Sequence, residues 1–175
     1  MKRIALITFA CIIFGNISFS QETSDESNVN IGLGFGLDYG GFGGRLSLLP
    51  TQNIALFGAL GYNLNGAGFN AGAQYRFSPD KPICPTLGAF YGYNAVIVVQ
   101  GAEHYNKTYY GPNFSFGLEF KAKRNPKNFS SIELILPLRS DEYSKDFKAL
   151  EDDPLIEIKS KPLPIAISFG IHFGL

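Results

Sequence analysis

The residues best suited to chemistry are few and far apart. Ser168 and His172 lie on one face of an alternating C-terminal stretch, Leu163 to Leu175. Four positions along a strand separate them by roughly 13 Å, so no nucleophile and base are within hydrogen-bond reach. His104 stands in Ala-Glu-His-Tyr-Asn-Lys-Thr-Tyr-Tyr, residues 102–110, with no second His or Cys beside it. Neither histidine has metal-ligand spacing. Gly32, Gly34 and Gly36 alternate within a strand and form no phosphate-cradling loop. The expectation is a protein without catalytic activity, cofactor or metal.

The charged residues inside the strands are more informative. Arg45, Arg76, Glu119, Lys121 and Glu133 each interrupt the face that otherwise carries glycine, alanine, serine and amides. If the hairpin around residues 124–128 is symmetric, Glu119 falls nearly opposite Glu133. Two such carboxylates repel unless a cation lies between them. Lys121 is the nearest candidate, with Arg45 or Arg76 next. One outcome is an ion-selective lumen; the other is a salt-bridge network that plugs a narrow one.

Those residues need strands to position them, and alternation predicts about eight. The first is about Val29 to Asp38, with Val29, Ile31, Leu33, Phe35 and Leu37 on one face and glycines on the other. Further strands fall at about 44–49, 54–62, 67–77, 86–99, 113–121, 129–138 and 163–175. In the fourth, Phe69, Ala71, Ala73, Tyr75 and Phe77 alternate with Asn70, Gly72, Gln74 and Arg76. In the fifth, Leu87, Ala89, Tyr91 and Tyr93 share the apolar face, and the apolar run 95–99 blurs the pattern. Residues 100–111 read as a Tyr-rich polar loop, and 139–162 as a long charged one.

A soluble antiparallel barrel would turn its large residues inward and its charges outward. Here one face is large and apolar, and the other mixes glycines with isolated charges. That suits a barrel in lipid with a small or polar interior. Composition agrees: among 175 residues only 17% are charged, beside 20 Gly, 16 Phe and 9 Tyr. Mean hydropathy is +0.04, too low for a helical membrane protein, and no segment outside the N-terminal run approaches the roughly 20 apolar residues of a spanning helix.

The N-terminus reads as an export signal. Lys2 and Arg3 precede the apolar run Ile4 to Phe14, and small residues Ser18 and Ser20 place cleavage before Gln21. Residues 21–28 then form a polar lead-in to a barrel domain at 29–175. Cleavage removes Lys2 and Arg3 but no acid, leaving 13 basic and 15 acidic residues, a formal charge of −2. That argues against a nucleic-acid partner. Cys84 then has no intrachain partner and is expected to be a small buried hydrophobe.

From Val29 to Leu175 the pattern resembles the small outer-membrane β-barrels of Gram-negative bacteria, the OmpA/OmpX-like or porin-like single-domain family. Phe169, Phe173 and Leu175 look like that family's C-terminal assembly signal, with Leu175 where an aromatic residue is usual. The resemblance implies an all-β, eight-stranded antiparallel up-and-down transmembrane barrel. It also implies passage through periplasmic chaperones and the barrel-assembly machinery, and a monomer in contact with outer-membrane lipid. Turns at 50–53, 78–85 and 124–128 would be periplasmic, and segments 39–43, 63–66, 100–112 and 139–162 extracellular. Aromatic girdles would comprise Tyr62, Phe69 and Phe114 at the outer strand ends, with Phe77, Phe120 and Phe173 at the inner ones. Tyr105, Tyr109 and Tyr110, with the acidic 139–162 loop, are the candidate contact surface. The expected role is envelope structure or surface interaction through these loops. The alternatives are a small pore for ions or solutes, and a soluble ligand-binding barrel.

Overall fold

The computed structural model describes residues 28–99, 105–153 and 163–175. The predicted signal segment 1–20, most of the lead-in, His104 and residues 154–162 of the charged loop lie outside these residues. The strands are β1 Val29–Gly36, β2 Gly41–Thr51, β3 Ile54–Asn63, β4 Gly66–Arg76, β5 Ile83–Ile97, β6 Lys107–Lys121, β7 Phe129–Pro137 and β8 Ala166–Gly174. Each pairs antiparallel with its neighbour in sequence, and β1 pairs with β8, closing an eight-stranded barrel. Closure leaves no unpaired edge. We call the end where β1 begins and β8 finishes the near end, and the opposite one the far end.

Alternation is carried through on nearly every strand. Leu33, Phe35, Phe42, Leu60, Tyr62, Phe116, Ile167 and Ile171 point outward and are exposed, while Arg45, Arg76, Glu119, Glu133, Asn70, Gln74 and His172 point inward and are buried. The barrel is therefore apolar outside and polar within.

Three departures from the sequence expectation have local physical causes. First, β5 and β6 are longer than the rest, at 15 residues each, so residues 107–111 are strand rather than loop. The register shifts between Tyr93 and Ala95. A bulge adds one residue to one strand and thereby exchanges its faces. Before it Gly88, Phe90 and Gly92 are buried, and after it Ala95 and Ile97 are, with Asn94 the extra residue between. Tyr93, expected on the exposed outer face, is buried at the bulge.

Second, the charged loop contains an 11-residue helix, α1, Asp141–Glu151. Ser140 caps it, its hydroxyl accepting from the Tyr143 backbone N–H at 3.2 Å. Tyr143, Phe147 and Leu150 share a helical face and pack on Ala95, Ile97, Val99 and Tyr109. Those strand residues continue the inward face, so α1 lies on the side of the β5–β6 hairpin turned toward the barrel axis.

Third, Leu37–Tyr39, expected as the end of the first strand and the start of the 39–43 connection, is neither. It is a single turn of 3₁₀ helix folded into the barrel, with Asp38 and Tyr39 fully buried. Gly40 ends it with φ 72°, which favours glycine. The main chain of this turn lies against the inner wall: a Cβ on Gly61 would stand 2.2 Å from the Tyr39 carbonyl oxygen. We refer to residues 37–40 as the strap.

Candidate functional site

The barrel interior and its two rims are the places where side chains of differing chemistry converge. Within the barrel, the inward positions of β2, β4, β6, β7 and β8 bring together groups far apart in sequence. Arg45 is the hub. Its guanidinium donates to Gln74 Oε1 at 2.7 Å and to Asp38 Oδ2 at 3.2 Å, and reaches Glu133 Oε1 at 3.5 Å. It also lies over the Phe57 ring, 3.7 Å from the centroid. Gln74 Nε2 donates to the same Glu133 oxygen at 2.9 Å. The Ser168 hydroxyl donates to the other Asp38 oxygen, joining β8 to the strap.

A second pair lies nearer the chain ends. Arg76 Nε donates to Glu119 Oε2 at 2.8 Å, and its Nη1 donates to the Gln52 carbonyl at 3.1 Å. Burial of these charges is tolerable only because each meets an opposite charge and further hydrogen bonds.

The expected arrangement of the carboxylates is thus corrected. The β6–β7 pairing sets Gly117 against Glu133 and Glu119 against Ser131, so the hairpin is offset by two residues from the symmetric one. Glu133 meets Arg45, and Glu119 meets Arg76. Lys121 lies half-buried at the near end of β6, opposite Phe129 in the β6–β7 register.

His172, which the sequence offers neither as a catalytic base nor as a metal ligand, has close aromatic and polar neighbours inside the barrel. It stacks on Phe129, with centroids 4.3 Å apart, and its Nε2 lies 2.8 Å from Tyr39 Oη and 3.1 Å from Ser131 Oγ. Tyr39 reaches it along a trough in the wall. A Cβ on Gly170 would lie 1.8 Å from the Tyr39 hydroxyl, so only glycine leaves room. Ser168 is paired with Asp38 rather than with His172. Among the described residues no group of three or more His, Cys, Asp or Glu side chains could hold a metal. Leu37, Phe57, Phe90, Ile135 and Ala166 form an apolar cluster within the same interior. Strap, charges and apolar cluster together fill the described interior with side chains and main chain, as expected of a barrel of this strand number.

The far rim is organised around α1. Lys107 Nζ donates to Glu142 Oε1 and to Asp146 Oδ2, both at 2.8 Å, and the Tyr109 hydroxyl donates to Asp146 at 2.7 Å. These bonds hold the Asp146 carboxyl below the usual carboxylate range, Lys107 first and Tyr109 second. Of the candidate contact tyrosines, Tyr105 is exposed, whereas Tyr109 is buried beneath α1. Tyr110 stacks on Phe69 at 4.7 Å and donates to the Ala67 carbonyl.

The residues expected to form girdles, Tyr62, Phe69, Phe77, Phe114, Phe120 and Phe173, are all exposed on the outside, as are Phe169 and Leu175 of the terminal motif. Phe114 lies at the middle of β6 rather than at its end, because that strand begins at Lys107. Cys84 is buried and unpaired.

Sequence reasoning missed Asp38, Tyr39, Gln74 and Ser168 as members of the interior network. Asp38 carried a usable signal, a carboxylate closing an apolar alternation just before Gly40-Gly41. The described class is an all-β closed barrel with a polar, filled interior. No protein-family model matches the chain, and comparison with curated proteins gives no match.

Proposed function

We propose that this chain is an integral β-barrel protein of a Gram-negative outer membrane. It is exported by the segment 1–20 and acts in envelope structure or surface interaction rather than in catalysis. One observation carries this reading: the inversion of polarity around a closed barrel. Phe42 and Leu60 are each 70% exposed on the outside, while Arg45 and Glu133, at 4% and 3%, are sealed within. In water such an apolar exterior would be costly, whereas against hydrocarbon it is the favourable arrangement. Six strands have 8–11 residues, about what a tilted strand needs to cross a bilayer. No helix among the described residues is long and apolar enough to cross, so the strands are the spanning elements of this proposal.

The filled interior favours a closed barrel over a pore. The functional surface is then the far rim, where α1 and the β5–β6 hairpin stand beyond the shorter strands. Fractionation tests this reading. The protein is expected in the outer-membrane fraction, extractable only with detergent, with gel migration that changes on boiling. Recovery in a soluble fraction with unchanged migration would rule it out.

A further inference from the structure

The two rims differ in charge. At the near end, the turns at 77–82 and 121–128 carry Lys81, Lys121, Lys123, Arg124 and Lys127 against the single acid Asp80. The fold brings these turns together: the Lys121 N–H donates to the Pro82 carbonyl at 2.9 Å, and Ile83 pairs with Phe120. Lys81, Lys123, Arg124 and Lys127 are exposed, and among the described residues none is in an ion pair. At the far end the balance reverses: among the described residues Asp141, Glu142, Asp146, Glu151, Asp152 and Asp153 outnumber Lys107, Arg139, Lys145 and Lys148.

Directly beneath the basic turns lies an apolar collar. Tyr75, Phe77, Ile83 and Phe120 are all exposed there. Tyr75 and Phe77 pack edge-to-face at 5.0 Å, which fixes their rings as one surface. Charges alone would satisfy any small anion. Basic groups immediately beyond an exposed aromatic collar fit a ligand with an anionic head and an apolar body.

We infer that the near rim, on its β4–β7 side, is a docking surface for anionic phospholipid, with Lys81, Lys123, Arg124 and Lys127 binding the headgroup phosphates and the collar meeting the acyl chains. The inference rests on the membrane reading proposed above and adds to it a lipid class and a side. The acidic far rim would repel the same lipid, so binding is confined to one leaflet.

The test uses the full-length protein reconstituted in phosphatidylcholine vesicles containing spin-labelled phosphatidylglycerol or spin-labelled phosphatidylcholine. Electron paramagnetic resonance then gives the relative association of each lipid with the barrel. At low ionic strength phosphatidylglycerol is expected to associate about fivefold more strongly. The preference should fall toward one at high salt, where the Debye length is only about 3 Å. It should be lost in the variant K81Q/K123Q/R124Q/K127Q, and should fall partway in K123Q/R124Q. Heat-modifiable migration verifies that both variants are folded. Inorganic phosphate added at constant ionic strength should leave the preference in place. Equal association of the two lipids, a preference that survives the fourfold substitution, or its loss to inorganic phosphate would overturn the inference. Failure of the protein to float with vesicles is a separate result, and would overturn the membrane reading and this inference with it.

Discussion

The ion pairs around Arg45 and those around Lys107 are built from the same kinds of groups but placed in opposite surroundings. In the interior, Arg45 meets Asp38 and Glu133 with side chains almost wholly buried, at 2%, 1% and 4% exposure. On the far rim, Lys107 meets Glu142 and Asp146 at the shorter distance of 2.8 Å, yet its side chain is 43% exposed. Distance alone would rank the rim pair first. Surroundings reverse the order. Water screens the rim pair and replaces either partner at little cost, whereas a charge left alone inside the barrel has nothing to replace its partner. The interior cluster is therefore expected to contribute to the stability of the barrel, and the rim cluster to the seating of α1.

The comparison can be broken most forcefully at its hub. Arg45→Ala strips Asp38, Gln74 and Glu133 of their shared donor and is expected to cost about 3–5 kcal/mol. Urea unfolding of the protein in lipid vesicles reads this as a lower midpoint; an unchanged midpoint would mean that the network contributes nothing. Glu133→Ala leaves Arg45 with Asp38 and Gln74, and a smaller loss of about 1–3 kcal/mol is expected in the same measurement. Tyr39→Phe removes only a hydroxyl that reaches His172 while keeping the ring against the wall, and about 1 kcal/mol is expected. A loss as large as that of Arg45→Ala would show that the strap, rather than the charges, is the principal tie.

The rim should respond differently. Lys107→Ala is expected to leave the unfolding midpoint where it is, and to speed hydrogen exchange across residues 141–151 as α1 loosens. A shifted midpoint would erase the distinction between the two clusters. Acid provides the mildest perturbation. Because Asp146 is held below the ordinary carboxylate range, its contribution to docking is complete above the unfolded value of about 3.9. It is lost as pH falls through the lower folded value. Exchange of α1, corrected for intrinsic rates, should therefore accelerate only under strongly acidic conditions. Acceleration beginning near neutral pH would point to a different tether.

The barrel itself was legible because alternation is a local property: in Phe69, Ala71, Ala73, Tyr75 and Phe77 every second residue states which way the strand faces. What escaped depends on partners distant in sequence. The carboxylate of Asp38 marks a break in the apolar alternation, but its partners Ser168 and Arg45, like the His172 partner of Tyr39, are set by the closed barrel and not by the local sequence. The bulge at Tyr93 and Ala95 is a single-residue change of phase within an apolar run, where alternation carries no information. Helix α1 was readable after all. Ser140 as a cap and Tyr143, Phe147 and Leu150 on one helical face are a sufficient signal, obscured by the density of charge around them. The two glutamates were assigned to the correct face, but their pairing depended on a hairpin offset of two residues that the turn sequence does not reveal.

Everything proposed for this barrel turns on which medium each of its faces meets. Nitroxide labels at single cysteines, in a Cys84→Ser background and with the protein in vesicles, measure this directly. Leu60 and Leu134 on the outer face, and Ala59 and Ile135 on the inner one, are suitable sites. Labels at Leu60 and Leu134 should be readily relaxed by oxygen, which concentrates in hydrocarbon, and shielded from a water-soluble nickel complex. Labels at Ala59 and Ile135 should be shielded from both. Free access of the nickel complex to Leu60 and Leu134 would contradict the account, because it would put water where hydrocarbon is required.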